Sequence, residues 1–258
     1  MKKILMIGPG RDVRGGISTV VNSYYELGIE KDTEIKYIPT MEDGSQIKKL
    51  IVAVKAYMEF GGCVKKYDIV HVHMAAQASF VRKSLFVQKA KKAGVKVIIH
   101  SHAADFDKYF FEESDDKNRK KIKETFALAD KVIVLSEEWA DFFGKNVCDP
   151  AKIKIIYNGV ILPQKNKTSY DDHNILMLGR LGERKGTYDL LKAIPMVLRE
   201  VPDAMFYLGG DGDIEGCKAI AANEGIQDHI KFLGWIKGTE KKNLLDKCSV
   251  FTLPSYYE

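Results

Sequence analysis

The sequence has few cysteines and no long apolar run, and each shortage excludes a class of protein. Its four cysteines lie far apart and form no C-x-x-C pair: Cys63, Cys148, Cys217 and Cys248. Free thiols of this kind are typical of a reducing compartment rather than of a disulfide scaffold. No stretch approaches the roughly 18 apolar residues of a membrane span. The run behind Met1-Lys2-Lys3 is shorter than the roughly 7–15 residues of a signal-peptide core. We therefore expect a cytoplasmic protein.

The chain has no excess of acidic residues; its net charge is +5. Residues 1–160 hold 27 Lys and Arg against 21 Asp and Glu, whereas residues 161–258 hold 13 against 14. The stretches 48–66 and 82–92 mix cations with apolar residues at helical spacing. This pattern fits either ordinary surface helices or a peripheral contact of the basic N-terminal domain with the inner face of a membrane. Since no groove-reading motif accompanies the cations, we expect no nucleic-acid partner.

Apolar runs of strand length alternate with helical patterns, which predicts an α/β protein with parallel sheets. A first domain is expected over residues 1–162, with these strands: Lys3–Gly8, Glu34–Ile38, Asp68–His73, Val95–His100, Lys131–Leu135 and Ile153–Tyr157. Residues 163–173 are polar and aperiodic, which indicates a linker. A second domain over residues 174–258 adds these strands: Ile175–Gly179, Ala204–Gly209, Ile230–Leu233 and Val250–Leu253. Because such a sheet ends in an unpaired edge, we expect the natural chain to be longer.

The stretch NILMLGRLGERKGTYDLL, residues 174–191, joins a strand to a helix through a cationic loop. The loop contains Gly179, Arg180, Arg184 and Lys185, and Thr187 is placed to cap the helix. Backbone N–H groups at a helix N-terminus favour an anion, and the cations would add charge-assisted hydrogen bonds. By itself the pattern fits a phosphate-binding loop and a solvated basic turn equally well.

A second glycine-containing loop follows the first strand. It begins like a dinucleotide fingerprint, but Val13 stands where the third glycine should be, so that fingerprint fails. Gly15 and Gly16 remain at the start of a helix, where small residues let backbone approach a bound phosphate or sugar. A plain tight turn explains them as well.

Two H-x-H pairs, His71/His73 and His100/His102, lie at the ends of neighbouring predicted strands. Strand side chains alternate, so both imidazoles of a pair point to one face. A metal cluster is conceivable, but Asp105 is the only nearby carboxylate. We therefore favour a polar lining at the carboxyl edge of the sheet, where α/β proteins bind ligands, and expect no metal.

Two further motifs have ordinary explanations. Asp211-Gly212-Asp213 looks like a metal-binding D-x-D, but a turn in which an Asp caps the next helix accounts for it. Ser136, in VLSEEW, lacks a G-x-S-x-G elbow and is predicted to cap a helix rather than to act as a nucleophile.

The order of these motifs resembles the retaining glycosyltransferases of family 4, the "group 1" transferases, which have the GT-B fold. The resemblance rests on Gly15-Gly16, HVH and His102 in the first half. It continues through DKVIVLSEEW, KIIYNGV, LGRLGERKG, LGGDGD, KFLGWI and FTLPSYYE. It implies two Rossmann-like domains facing a cleft, with the second domain incomplete in this chain.

The resemblance also assigns roles to individual residues. Arg180 and Lys185 match the cations on the donor diphosphate, next to Gly179. Gly16, beside Gly15, matches a glycine near the diphosphate and sugar, and His102 matches the histidine near the transferred sugar. The nucleobase loop matches Gly234, Trp235 and Ile236. Glu258 matches the first Glu of the motif that contacts the donor sugar, while the second Glu would lie beyond residue 258.

The function expected from the resemblance is metal-independent sugar transfer, with retention, from a UDP-sugar or other nucleotide-sugar donor to a saccharide or lipid-linked acceptor. Such a reaction belongs to the synthesis of surface polysaccharide or glycolipid. Two alternatives stay open: a sugar-nucleotide epimerase of the same fold, and a non-catalytic truncated paralogue. An epimerase would change the donor without any acceptor, which product analysis detects.

Overall fold

The computed structural model describes residues 1–160 and 172–256 of the chain. Packing divides the chain into two units, Met1–Ile161 and Leu162–Glu258. Most of the predicted linker, residues 163–173, lies outside the described residues. The two units are taken in turn below.

The first unit is a six-stranded parallel sheet in the order β2-β1-β3-β4-β5-β6. Its strands are β1 (Lys2–Gly8), β2 (Thr33–Pro39), β3 (Ile69–Met74), β4 (Lys96–Ser101), β5 (Lys131–Val134) and β6 (Ile153–Ile155). Its helices are α1 (Gly16–Glu26), α2 (Gln46–Cys63), α3 (Gln77–Lys92), α4 (Phe106–Phe111), α5 (Asp116–Ala127) and α6 (Glu137–Asn146). Strand order reverses between β1 and β3, so the loops after these two strands flank the position where open α/β sheets bind ligands.

The two faces of this sheet differ in chemistry because strand side chains alternate. One face presents Ile7, Val72 and Ile99, all buried, in a core cluster that also contains large aromatic side chains of the helices. Aromatic members of this cluster include Phe60 of α2, Phe86 of α3, Phe126 of α5 and Phe143 of α6. The opposite face carries imidazoles of β3 and β4. The sheet therefore has an apolar core on one face and a row of imidazoles on the other.

The second unit is a four-stranded parallel sheet in the order β10-β7-β8-β9. Its strands are β7 (Asn174–Leu178), β8 (Met205–Gly209), β9 (Ile230–Gly234) and β10 (Val250–Phe251). Its helices are α7 (Thr187–Glu200), α8 (Ile214–Asn223) and α9 (Gly238–Lys247). Met177, Leu191, Phe206 and Leu208 lie in its core. Here the order reverses between β7 and β10, which places the loop after β7 at the ligand-binding position.

All ten predicted strands are present, with ends displaced by at most two residues. Two helices have little helical signal in the sequence. The first, α4, has only six residues, and α9 has no buried residue and therefore no apolar stripe. Within the described ranges, no helix combines the length and the apolar character needed to cross a membrane.

Candidate functional site

A cavity of about 360 Å³ opens at the carboxyl edge of the first unit's sheet. It lies where the strand order reverses, between the loop after β1 and the first turns of α3. Its lining includes polar and charged side chains and two glycines: Arg14, Gly15, Gly16, Ser18, Ser79, Arg82, Lys83, His102 and Asn158. The predicted residues Gly15, Gly16 and His102 are therefore brought together, although 86 residues separate the last two.

The backbone conformation favours glycine at one of the two glycine positions that line this cavity but not at the other. Gly15, the N-cap of α1, has φ 153°, a backbone conformation that favours glycine. At Gly16 an added Cβ would meet no atom within 4 Å, so the fold itself does not require glycine there. Free space beside the N-terminus of α1 is space that a bound group can occupy.

His102 is oriented by a neighbouring imidazole. Its backbone N–H donates to the carbonyl oxygen of Met74 at 2.8 Å, and its Nε2 lies 2.9 Å from Nδ1 of His73. The ring of His100 is 4.0 Å from that of His102, centroid to centroid. The parallel register that pairs His73 with His100 produces this stack. Nδ1 of His102 is then the ring nitrogen left for a ligand.

All four imidazoles are neutral at pH 7. Burial lowers the pKa of His71 to about 4, and burial, reinforced by the unfavourable interaction of a protonated His102 with His71 and Lys83, lowers the pKa of His102 to about 3. Burial also holds the pKa values of His73 and His100 well below 6.5. His102 can therefore accept or donate a hydrogen bond, but it does not carry a positive charge.

The same imidazoles form a conceivable metal-ligand set. One nitrogen each from His71, His73 and His100 lies within 4.8 Å of the others, and no carboxylate of the described residues joins the group. Several of these nitrogens are buried without a hydrogen-bond partner in the described part of the chain: Nε2 of His71, Nε2 of His73 and both ring nitrogens of His100.

The cavity also contains cations that the sequence reasoning did not assign to a site. Arg82 and Lys83 come from the basic stretch 82–92, which was interpreted as a surface feature. Lys83 is 1% exposed, because it follows Phe80 by three residues on the buried face of α3. That helical spacing was the signal that could have identified it.

In the second unit, the predicted cationic loop is held by backbone contacts at the carboxyl edge of the sheet. The N–H of Gly179 donates to the carbonyl oxygen of Gly209, and that of Leu181 donates to the carbonyl oxygen of Asp211. Arg180 is exposed, whereas Lys185 is half-buried. The Lys185 side chain runs past Gly179, 3.8 Å from the position a Cβ would take there.

Thr187 has a different role from the predicted one. It is the first residue of α7, and the N-cap is Gly186. The Thr187 hydroxyl accepts the N–H of Gly182 at 2.9 Å, so it closes the loop instead of capping the helix. Gly186 has φ 64°, and a Cβ on it would collide with the carbonyl oxygen of Pro254. The loop geometry thus depends on the chain after β10.

The predicted nucleobase loop lies along the same edge. The N–H of Gly210 donates to the carbonyl oxygen of Gly234 at 2.7 Å, and Gly234 has φ 66°. Trp235 is 42% exposed. The Ile236 side chain covers Gly209, where a Cβ would lie 2.9 Å from its Cδ1. Gly179, Arg180 and Lys185 therefore share one sheet edge with Gly234, Trp235 and Ile236. Glu258 lies outside the described residues.

The two ordinary motifs are confirmed as helix caps. The Asp213 carboxylate accepts the N–H of Gly216 at 3.0 Å and the Tyr188 hydroxyl at 2.6 Å. The Ser136 hydroxyl accepts the N–H of Trp139 at 3.2 Å.

The chain is similar in sequence to known glycosyltransferases. The chain is 28% identical over 217 residues to the UDP-Gal:alpha-D-GlcNAc-diphosphoundecaprenol alpha-1,3-galactosyltransferase of Escherichia coli, covering 75% of this chain and 53% of that protein. It is 26% identical over 223 residues to an uncharacterised glycosyltransferase of Methanocaldococcus jannaschii, covering 76% and 53%. The chain thus spans about half the length of the curated relatives it matches.

A solved structure supports the fold assignment. The crystal structure of Anabaena HepE in complex with UDP and glucose matches with a TM-score of 0.68 at 14% identity, covering 99% of this chain and 74% of that one. This match confirms the predicted α/β class and GT-B fold. The family description "Glycosyl transferases group 1" matches residues 161–258, and "Glycosyltransferase Family 4" matches residues 26–162. Since the latter match covers more than half of the 258 residues, the chain belongs to glycosyltransferase family 4.

Proposed function

We propose that this chain transfers a sugar, with retention of configuration, from a UDP-sugar donor to a hydroxyl of a saccharide or lipid-linked acceptor, without a metal. The reaction would serve the synthesis of surface polysaccharide or glycolipid. The observation that carries the proposal is the cationic loop of the second unit, Gly179–Gly186, at the switch point of its sheet. A UDP donor is supported by the E. coli relative's name and by the UDP in the HepE structure.

The loop is suited to a diphosphate leaving group. Negative charge develops on the diphosphate as the glycosidic bond breaks, and fixed cations stabilise that charge most where they need not reorganise. Arg180 has no carboxylate partner in the described part of the chain, so its guanidinium is available to phosphate oxygens. Lys185 adds a second cation, and the N-terminus of α7 adds the helix dipole. Two cations and a helix N-terminus supply the neutralisation that a metal gives other transferases.

The first unit supplies neutral groups for the reacting sugar. His102 is uncharged and its Nε2 is engaged with His73, so it would position a sugar hydroxyl through Nδ1 rather than act as an acid. No protein nucleophile is assigned. Retention then follows a same-face route, in which the acceptor oxygen attacks the anomeric carbon while the leaving phosphate takes its proton.

The test of the donor site is a thermal-shift panel of UDP, GDP and ADP on the 258-residue chain. Ligand that binds the native state raises the melting temperature by mass action. We expect UDP to raise it, and Arg180→Ala/Lys185→Ala to abolish the rise. The matched control is Lys192→Ala/Arg199→Ala, which removes two exposed cations from α7 and should leave the UDP response intact.

Three outcomes would contradict parts of the proposal. An equal rise in melting temperature with UDP in both double variants would show that Arg180 and Lys185 do not bind the diphosphate. A response to GDP or ADP alone would change the donor base. A UDP response that EDTA abolishes and magnesium restores would overturn metal independence of donor binding.

The acceptor side is proposed to contact an anionic membrane through α2. The face of α2 opposite its buried residues Ala56 and Phe60 carries an exposed apolar stripe: Ile47, Leu50, Ile51, Val54 and Met58, each 48–73% exposed. These residues follow helical spacing and form one line. Lys48 and Lys55 flank the stripe. An apolar line bordered by lysines is the pattern of a helix lying in an anionic lipid interface.

Vesicle co-sedimentation tests this contact. We expect binding to vesicles of mixed phosphatidylcholine and phosphatidylglycerol, weaker binding to pure phosphatidylcholine, and loss of binding in Leu50→Ser/Val54→Ser. The control Leu245→Ser changes an exposed leucine of α9 in the second unit, 38% exposed. Equal sedimentation of wild type and the α2 variant would refute the assignment.

A further inference from the structure

Three imidazoles of the first unit form a compact group on the sheet face opposite the aromatic core. This three-histidine cluster consists of His71 and His73 on β3 and His100 on β4. The parallel register places His73 directly beside His100, and the parallel rings of His71 and His100 are 5.5 Å apart, centroid to centroid. One nitrogen of each ring lies within 4.8 Å of those of the other two. The sheet thus brings an H-x-H pair of one strand and a histidine of the next strand within reach of a single ion.

Four nitrogens of the three-histidine cluster are buried without a hydrogen-bond partner in the described part of the chain. They are Nε2 of His71, Nε2 of His73 and both ring nitrogens of His100. Buried polar groups are nearly always hydrogen-bonded, because an unpartnered group has lost its bonds to water without replacement. A neutral imidazole has one N–H group and one lone pair. His100, which is 1% exposed, therefore buries a lone pair that no described group uses.

The surroundings of the three-histidine cluster are apolar. The sheet register pairs Met6 with His71, and Met6 is fully buried. The ring of Tyr24, from α1, covers the cluster at 6.5 Å from His71 and 6.0 Å from His73, centroid to centroid. No carboxylate of the described residues joins the group. A partner for these nitrogens must therefore be small and must itself bring the attraction for a nitrogen lone pair.

We propose that the three-histidine cluster binds one zinc ion through a nitrogen of each ring. Three imidazoles, with water in the fourth position, are a ligand set that zinc accepts in proteins, whereas magnesium and calcium require oxygen ligands. A tetrahedral zinc ion with Zn–N bonds of about 2.0–2.1 Å holds its nitrogens about 3.4 Å apart. Since the nitrogens now lie within 4.8 Å of one another, each ring would move by about 1 Å or less and turn its lone pair toward the ion.

Zinc in this position would also set the tautomer of His102. Nδ1 of His73 lies 2.9 Å from Nε2 of His102. When Nε2 of His73 binds the metal, the proton of His73 is on Nδ1, so His73 donates this hydrogen bond and His102 accepts it. The proton of His102 is then on its Nδ1. His102 would offer an N–H donor to an oxygen of the sugar, a step that rests on the proposed function, whereas zinc binding itself does not.

Calorimetric titration of the metal-stripped chain with zinc chloride tests the site. We expect one zinc ion per chain, and an affinity reduced about tenfold or more in His71→Gln and in His100→Gln. The matched control is His173→Gln/His229→Gln, which removes the two histidines of the second unit and should leave the affinity unchanged. Circular dichroism shows whether each variant folds. His71 is only half-buried, so His71→Gln is the variant that should keep the native fold.

Several outcomes would overturn the zinc site. They are no zinc binding by the wild type, an unchanged affinity in folded His71→Gln, and a weakened affinity in the second-unit control. A further control, Cys63→Ser/Cys148→Ser, removes the two partly exposed thiols and should bind zinc as the wild type does. Weaker binding in this variant would assign the ion to thiolates instead. Magnesium chloride should give no heat of binding at the cluster, and equal binding of magnesium would contradict imidazole ligands.

Nitrogen-15 NMR of the imidazoles tests the link to His102. In the zinc-bound chain we expect the proton of His102 on Nδ1 and a chemical shift of Nε2 of His73 that is typical of a metal-bound nitrogen. A His102 proton on Nε2 in the zinc-bound chain would refute the link.

UDP separates the zinc site from the proposed function. Zinc takes no part in the proposed transfer, in which the donor diphosphate is assigned to the loop of the second unit. The metal-stripped and zinc-loaded chains should therefore show the same rise in melting temperature with UDP. Zinc binding without any UDP response would contradict the donor site and support the zinc site. A UDP response without zinc binding would support the donor site and overturn the zinc site.

Discussion

Replacing Lys83 with methionine should stabilise the first unit. The pKa of Lys83 falls from 10.5 to about 7 on folding, and each pKa unit corresponds to about 1.4 kcal/mol. Below pH 7 the buried ammonium therefore lowers the free energy of unfolding by at most about 5 kcal/mol. Methionine is similar in length and carries no charge, and the Ser79 hydroxyl still accepts the N–H of Ala75. Since replacement of buried ions by apolar groups typically gains about 1–4 kcal/mol, we expect a gain of about 2–4 kcal/mol at pH 6.

The stability difference between Lys83→Met and the wild type should depend on pH. Between about pH 7 and 10.5 the unfolded chain holds the Lys83 proton and the folded chain releases it, so wild-type stability rises with pH over this window. The advantage of Lys83→Met should therefore be full below pH 7 and shrink at pH 9. The four imidazoles are neutral in the folded state of both proteins over this window, so their contribution cancels in the difference.

Urea unfolding measures this difference. Trp139 is the sole tryptophan of residues 1–160, so its fluorescence reports the first unit once Trp235→Phe has removed the other tryptophan. Lys92→Met, on the same helix, is the control and should change the midpoint little. A less stable Lys83→Met, or an advantage that is equal at pH 6 and pH 9, would show that Lys83 is not an uncompensated buried cation.

Three further substitutions test the local geometry. Gly186→Ala should lower the melting temperature of the second unit, at a cost of about 1–3 kcal/mol, because φ is 64° and a Cβ would collide with the Pro254 carbonyl oxygen; an unchanged melting curve would contradict that fit. Gly16→Ala should leave thermal stability unchanged or slightly higher, since its Cβ meets no atom within 4 Å; a lower melting temperature would contradict that free space. Ser136→Ala should cost about 1 kcal/mol in urea unfolding through loss of the cap on Trp139, and Ser136→Asn should restore most of it.

The strands and their parallel arrangement could be predicted because each strand is a short apolar run with a polar or glycine boundary. The run Ile175–Leu178 before Gly179 is an example, and the structure places β7 over Asn174–Leu178. By contrast, α9 could not be found from periodicity, since it buries none of its side chains. The order of the strands in each sheet could not be predicted from a single sequence either. It depends on the side of the preceding strand on which each connecting segment places the next strand.

The candidate site of the second unit could be proposed from the sequence because its residues adjoin in the chain. Glycines, Arg180, Lys185 and the start of α7 occupy nine consecutive positions, 179–187, so one short window of the sequence contains all of these residues. The role of Thr187 was predicted wrongly, since a hydroxyl at a helix start can bond backward as well as forward, and here the N–H of Gly182 lies within reach. Only tertiary contacts decide whether the hydroxyl caps its own helix or accepts an earlier backbone N–H.

The first-unit site was harder to predict, since its charge lies on the buried face of a helix. In the printed sequence Lys83 is one of several lysines in a basic stretch, and an average over that stretch indicates a solvated surface. The register of β3 with β4, which stacks His73 on His100 and places His102 beside Lys83, is a long-range property. The neutral state of these imidazoles follows from that register and from burial, neither of which the H-x-H spacing specifies.

The two groups of cations, at the loop Gly179–Gly186 and at Lys83, differ in physical character, and the difference has a consequence for any anion that binds there. Arg180 is exposed, so water already stabilises its charge, and a phosphate there gains little beyond the exchange of water for oxygen ligands. Lys83 is denied water and, among the described residues, a counter-ion, so an anion that reaches it also removes a cost already present in the folded protein. Binding in the first-unit cavity should thus raise the stability of its unit more steeply below pH 7 than at pH 9.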